Sequence, residues 1–351
     1  MEQNQKNSHK CCPSELRYDE ASQDWVVIAP GRGKRPELYK HPRARVDMDP
    51  KDCPFCNLAV TQEPPVLSYA NSKKFAGSLP SDWTLAVIPN KFPAFCSPAG
   101  SKICKIKDGP LYHAMDAVGF CEIVVTRDHE KHIALMDLAA VREILDAYQS
   151  RYLALKKNKF VKYISIFHNH GIEAGASQPH PHSQIITSPL VDVDLRRAIV
   201  KTKKHFRRRK KCLACEMTAW EKKDKKRVVF KNHDFVAVCP FASKSPFQVI
   251  ITPQKHSPYF ESISESQKTS LAEIFSAVMK KIHKGLEDPP YNFYLHTAPS
   301  DGKAYPFYHW HWTILPKTAT MAGFELGTHM EISTITPETA AEYLRNQNTI
   351  E

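Results

Sequence analysis

No stretch of the 351-residue sequence approaches the roughly 20 apolar residues that a bilayer-spanning helix needs. The first 13 residues (MEQNQKNSHKCCP) are polar and lack the apolar centre of a secretory signal. These absences point away from a membrane or secreted protein and predict a cytoplasmic one, with a disordered segment over residues 1–13. A disulfide framework is missing as well. Six of the ten cysteines, Cys11, Cys12, Cys96, Cys104, Cys121 and Cys239, show no pairing logic, and the other four form two C-x-x-C pairs. A reducing compartment fits that usage. Alternation of strand and helix is scarce too, which argues against a parallel sheet and favours antiparallel pairing in an α+β fold.

One sign of charge is in excess. Lys and Arg number 49 against 37 Asp and Glu, a formal net charge of +12, which favours anionic partners such as nucleotides, sugar phosphates or nucleic acid. Much of it is local, since residues 201–211 (KTKKHFRRRKK) hold eight basic residues in eleven. Phe206 is the single Phe, Tyr or Trp in that run, too few for interleaved base stacking, so a solvated connector is favoured over a nucleic-acid surface.

Against these absences stands a pattern that occurs twice. Cys53-Pro-Phe-Cys56, His129 and His180-Pro-His182 are answered by Cys212-Leu-Ala-Cys215, His256 and His309-Trp-His311. From the single histidine to the first of the pair is 51 residues in one copy and 53 in the other. Order and distance agree as in a duplicated unit. Each copy supplies two thiols and two imidazoles, the donor set of a closed tetrahedral Zn2+ site. The expected ligands are Cys53, Cys56, His129 and His180 in site 1, and Cys212, Cys215, His256 and His309 in site 2. Four protein ligands leave no position for water, so both sites are expected to be structural. In the second, His311 also qualifies as a ligand, repeat logic prefers His309, and iron is an alternative metal.

Secondary-structure periodicity repeats with the motifs. Residues 138–157 and 264–286 carry apolar positions at helical spacing. Each is followed by a strand-like run, 163–167 (YISIF) or 291–295 (YNFYL), then a polar loop, then the His-x-His element. The organisation expected is an N-terminal half over 14–195, a basic connector over 196–211 and a C-terminal half over 212–351, the halves closely packed.

Only the first copy continues as His182-Ser183-Gln184. In extended chain His180 and His182 project to one face, so one holds a metal while the other meets a substrate. A neutral imidazole so anchored attacks phosphorus near pH 7 and leaves again from the phosphoramidate. Gln184, on the same face, is placed to donate to a non-bridging phosphoryl oxygen. His182 and Gln184 are therefore the candidate catalytic pair.

Residues 167–184 (FHNHGIEAGASQPHPHSQ) resemble a signature of the galactose-1-phosphate uridylyltransferases, the transferase branch of the histidine-triad superfamily. Residues 24–30 (DWVVIAP) with Arg32, Lys34, Arg35 and Pro36, residues 89–94 (PNKFPA), and Arg127-Asp128-His129 are similar to further segments of that family. The resemblance implies two tandem histidine-triad-like halves and a double displacement through a nucleotidyl-histidine. The nucleotide sugar, and a sugar 1-phosphate or inorganic phosphate as acceptor, come from it as well. It implies substrate contacts from Arg32, Arg35, Asn90, Asn169, Gly175, Ser177 and Gln184, zinc that stays out of the chemistry, and a homodimer. Uridylyl transfer from UDP-glucose to galactose 1-phosphate is the leading expectation, adenylyl transfer from ADP-glucose to phosphate the alternative. A zinc-stabilised nucleic-acid-binding protein and a histidine-triad hydrolase are the competing classes. Residues 323–333 (GFELGTHMEIS) depart from the family's G-F-E-x-G-T-G-x-x-I-N at His329 and Ser333.

Overall fold

The computed structural model of the protein describes residues 14–30, 48–61, 64–97, 105–108, 111–318 and 320–348. The expected disorder of residues 1–13 falls outside them, as do Arg32, Lys34, Arg35 and Pro36.

The first half is built mainly from strands. A hairpin of β1 (Glu15–Tyr18) and β2 (Trp25–Ile28) precedes a short helix α1 (Leu58–Thr61). Then come β3 (Leu67–Ala70), β4 (Lys73–Phe75), β5 (Leu85–Pro89), a separate hairpin of β6 (Lys105–Asp108) with β7 (Tyr112–Met115), and β8 (Cys121–Thr126). Helix α2 (Leu138–Leu155) follows, then β9 (Tyr163–His170) and β10 (His182–Ser188). The second half runs α3 (Val193–Arg209), α4 (Leu213–Asp224), β11 (Val228–Lys231), β12 (Phe235–Val238), β13 (Val249–Pro253), α5 (Glu265–Leu286), β14 (Tyr291–His296) and β15 (His311–Pro316). It ends in α6 (Gly323–Thr328), β16 (Ile332–Ser333) and α7 (Pro337–Arg345).

Eleven strands form one antiparallel sheet in the order β11-β12-β13-β15-β14-β9-β10-β8-β5-β3-β4. The halves meet where β14 pairs with β9 through Tyr291↔His170, Asn292↔Asn169, Phe293↔His168 and Tyr294↔Phe167. Outward from that seam the order is β9, β10, β8, β5, β3 on one side and β14, β15, β13, β12, β11 on the other. Each His-x-His strand is thus second from the seam. This is the α+β, antiparallel architecture expected from the repeat.

Helices α2 and α5 pack together over one face of the sheet. Val141, Leu145, Tyr148 and Tyr152 of α2 and Leu271, Phe275, Val278 and Ile282 of α5 share a continuous core with Ile166, Ile185, Phe293 and Trp312. The helices begin where their sequences provide caps. Asp137 accepts from the Ala140 N–H, and Ser264 with Gln267 forms a reciprocal capping box. Strand residues one step out of phase, among them His182, Gln184 and Asn169, face the opposite side.

Residues 196–211, expected as a connector, lie almost wholly in α3. Lys and Arg are good helix formers. Leu195, Ile199 and Phe206 recur at helical spacing and cover Ala298, Tyr305, Phe307 and Tyr308. The three arginines of its last turn sit at the negative end of the helix dipole. Nor does the C-terminal segment stay within its own half, because β16 pairs parallel with β2 through Ile332↔Val27 and Ser333↔Ile28. Before it, His329 ends α6 with φ of 55°, the left-handed conformation in which the resembling family's glycine carries no steric cost.

Candidate functional site

The first cysteine–histidine group forms where the turn at Cys53 and Cys56 meets the loop after β8 and the entry to β10. The Sγ atoms and the two Nδ1 atoms of His129 and His180 all lie within 4.8 Å of one another. The His180 Nδ1 is 3.5 Å from each sulfur, the His129 Nδ1 is 3.1 Å from Cys56 Sγ, and the two Nδ1 atoms are 3.1 Å apart. With metal–sulfur bonds near 2.3 Å and metal–nitrogen bonds near 2.0 Å, a tetrahedron has S···N edges of about 3.5 Å. The donors therefore fit one small cation.

Both rings are held from behind. His129 Nε2–H donates to the Met48 carbonyl at 3.0 Å, and His180 Nε2–H donates to the Thr126 carbonyl at 2.7 Å. That fixes the tautomer and leaves Nδ1 with its lone pair toward the sulfurs. Burial pulls His180 down to about 4 and pushes the Cys56 thiol up to about 11.

The second group repeats the arrangement. Cys215 Sγ is 3.5 Å from His256 Nδ1 and 3.3 Å from His309 Nδ1, and Cys212 Sγ is 3.9 Å from His309 Nδ1. Again the far nitrogens donate to carbonyls, His256 to Pro306 at 2.9 Å and His309 to Pro253 at 3.1 Å. His309 stands among these donors and His311 does not.

Two residues past His180 in the chain, the His182 ring lies 5.1 Å from Phe55 of the Cys53 turn. Its Nδ1–H donates to the His180 carbonyl at 2.9 Å. Nε2 then carries the lone pair, and it makes no hydrogen bond among the described residues. Burial lowers the ring's pKa, so the nucleophilic neutral form prevails near neutrality.

Ser183 points the other way, into the core, where it contacts the Tyr148 hydroxyl at 2.5 Å and His168 Nδ1 at 3.1 Å. This buried support beneath His182 has no counterpart in the sequence reading. The signal lay in alternation, which sends Ser183 to the face opposite His182 and Gln184.

Of the other candidate residues, Asn169 is near the end of β9 and its Oδ1 accepts from Asn292 Nδ2 at 2.8 Å, a bond across the seam. The loop from β9 to β10 turns through Gly171 and Gly175, at φ of 81° and 86°. A Cβ on Gly171 would sit 2.8 Å from Pro290 Cβ, so only glycine fits there. Ser177 is exposed in that loop. Asn90 follows β5, its Oδ1 accepting from the Phe92 N–H at 2.9 Å. Arg32 and Arg35 lie outside the described residues.

A duplicated antiparallel α+β unit that mounts a His-x-His strand on a cysteine–histidine group defines a transferase of the histidine-triad type. Residues 3–192 match the N-terminal domain of galactose-1-phosphate uridyl transferase and residues 199–350 its C-terminal domain, so the chain belongs to that family. It is 31% identical over 335 residues to an ADP-glucose phosphorylase of Arabidopsis thaliana, covering 94% of this chain and 92% of that one. It is 29% identical over 340 residues to a galactose-1-phosphate uridylyltransferase of Thermotoga maritima, covering 94% and 98%. A crystal structure of the Arabidopsis thaliana ADP-glucose phosphorylase with bound ADP-glucose superposes with a TM-score of 0.79 at 29% identity, covering 95% of this chain and 99% of that one.

Proposed function

We propose that the protein is a nucleotidyltransferase that takes the nucleotidyl group of a nucleoside diphosphate sugar onto His182 and passes it to a second phosphate. The observation that carries this reading is the His182 ring, with Nδ1–H tied to its own chain's carbonyl at 2.9 Å and Nε2 left as the nucleophile. Nε2 attacks the α-phosphorus, an N–P bond forms, and the bond to the bridging oxygen breaks, the electron pair leaving with the sugar 1-phosphate. An oxygen of the acceptor phosphate then attacks the same phosphorus and the N–P pair returns to Nε2. Gln184 donates its amide N–H to a non-bridging oxygen as charge builds there. Asn169, Gly175, Ser177 and Asn90, with Arg32 and Arg35, line the nucleotide and its phosphates in this reading.

The two cysteine–histidine groups suit Zn2+, whose part is to hold His180 and His309 in place rather than to touch substrate. The second group, with the same two thiols and two imidazoles, accepts iron as the alternative metal. The halves 14–195 and 212–351 form the two units of the enzyme, which works as a cytoplasmic homodimer. No helix among the described residues is long and apolar enough to cross a membrane.

Two acceptor chemistries fit. Uridylyl transfer to galactose 1-phosphate is supported by the family and by the Thermotoga maritima relative. Adenylyl transfer to inorganic phosphate is favoured by the likeness to the Arabidopsis thaliana protein and its ADP-glucose complex. Incubation with UDP-glucose or ADP-glucose labelled in the α-phosphate tests both. A labelled protein that His182→Gly does not form supports the reading, and the sugar nucleotide that labels it identifies the base. Release of label by galactose 1-phosphate or by phosphate identifies the acceptor. Label persisting in His182→Gly overturns the mechanism.

A further inference from the structure

A third group of donors sits at the seam, away from both cysteine groups. His132, in the loop between β8 and α2, His170, the last residue of β9, and Asp288, in the turn from α5 to β14, bring one donor atom each within 4.8 Å of the others. His132 Nε2 and His170 Nε2 lie 3.2 and 3.1 Å from Asp288 Oδ1. His283 Nδ1, in the last turn of α5, is 3.2 Å from the same oxygen. Three imidazoles thus converge on one carboxylate oxygen, which has two lone pairs to offer. One is in excess. His132 is only 1% exposed, and its Nε2 makes the contact without the geometry of a hydrogen bond. A buried ring nitrogen in this state costs stability unless something other than the carboxylate meets its lone pair.

We infer that His132 Nε2, His170 Nε2 and Asp288 Oδ1 form a third metal site, selective for a borderline divalent transition ion such as Zn2+ or Co2+. Bonds of about 2.0–2.1 Å to nitrogen and oxygen give N···O edges of about 3.3 Å, close to the observed 3.1 and 3.2 Å. Two imidazoles and one carboxylate select such an ion over Ca2+ or Mg2+, which prefer all-oxygen shells. Outer partners are in place. His132 Nδ1 is 3.4 Å from the Tyr291 hydroxyl, and His283 holds the carboxylate. The site is also reachable, because the side chains of His170, Asp288 and His283 are 18%, 17% and 29% exposed.

Its position gives it a task. His132 and His170 belong to the first half and Asp288 to the second, so one ion ties the halves together where Tyr291 pairs with His170. The backbone beside it is already stiff, since Gly171 packs against Pro290, each one or two residues from a ligand. The ion is a staple across the seam, next to the loop that leads to His182.

The test strips the full-length protein of metal and titrates it with Co2+, comparing wild type with Asp288→Asn. Wild type should bind one equivalent more. The difference spectrum should show visible ligand-field absorption without the near-ultraviolet sulfur-to-cobalt band that the cysteine groups produce. His170→Gln provides a second variant, with the sulfur-to-cobalt bands as evidence that each protein is folded. Loss of one non-sulfur equivalent in both variants, each folded, supports the site. Equal stoichiometry in wild type and a folded variant, or a difference spectrum carrying the sulfur band, overturns it. Neither result depends on nucleotidyl transfer, so this inference and the catalytic reading fail separately.

Discussion

The two His-x-His strands start from one plan and diverge two residues along. His180 and His309 are both buried, both turn Nδ1 toward a pair of sulfurs, and both donate Nε2–H to a carbonyl. At the next histidine the likeness ends. His182 Nδ1 is 2.9 Å from the carbonyl two residues back, whereas His311 Nδ1 is 3.5 Å from its own. His311 instead stacks on His296, centroids 4.8 Å apart, and burial drives its pKa well below the usual histidine range. Beyond it, Trp312 packs into the core where the first half has Ser183. Duplication has kept the cysteine–histidine frame twice and the closely tied second imidazole once. A ligand set tolerates little change, while the residue hung from it is free to become either a nucleophile or packing.

The largest effect should come from exchanging these fates. His182→Gly is expected to lower turnover by on the order of 10^4-fold or more, as losing a covalent nucleophile does. His311→Ala should leave turnover within about threefold and cost about 1–2 kcal/mol of stability as a buried ring is lost. Quenched-flow labelling and thermal melts on the same preparations check both. If His311→Ala abolishes labelling and His182→Gly does not, the comparison is inverted.

Metal loss should separate the halves next. Cys53→Ala and Cys212→Ala should each release one equivalent of metal by elemental analysis and destabilise by about 4 kcal/mol, the upper range for single substitutions. Only Cys53→Ala loosens the anchor of His182, so kcat should fall on the order of 10^2-fold in that variant alone. Equal losses of kcat would show that the second group also positions the nucleophile. Smaller again is Gln184→Ala. Removing one donor to a developing oxyanion costs about 10^2-fold in kcat, and KM should barely move. An unchanged kcat would remove Gln184 from the chemistry.

Much of this was legible because duplication wrote it twice. The matched spacing of Cys53, Cys56, His129 and His180 with Cys212, Cys215, His256 and His309 anticipated both donor groups, and helical and strand periodicity anticipated α2, α5, β9 and β14. The remainder depends on contacts without sequence repetition. The charge of the basic run 201–211 reads as solvated chain, and the helix is signalled only by the helix-forming tendency of Lys and Arg and by Ile199 and Phe206 at its flank and within it. The pairing of β16 with β2 joins residues about 300 apart. The cluster of His132, His170 and Asp288 is drawn from three segments, and only the antiparallel seam brings them together. His329 could be read as a departure from a family glycine, while its left-handed backbone emerges only from the way α6 ends.

The smallest predicted effect probes the seam on its helical side, where the symmetry of the halves is broken by charge. Asp146 on α2 binds Lys268 on α5, whose ammonium is buried, and also contacts Lys74 and the Tyr69 hydroxyl. Burial alone would raise the Asp146 carboxyl, but hydrogen bonds from Lys268, Lys74 and Tyr69 outweigh it and hold the group at about 2. An unfolded chain returns it to about 3.9. The folded state therefore binds fewer protons between these values. Its stabilisation is complete above the unfolded pKa and is lost as pH falls through about 2. With the Lys74 side chain 48% exposed and screened by solvent, the contribution is roughly 1–2 kcal/mol. Denaturant midpoints for Asp146→Asn should fall accordingly at pH 7 and converge on wild type toward pH 2. A constant gap between the two proteins across that range would mean that the helices are held together by their apolar faces, with the ion pair contributing nothing.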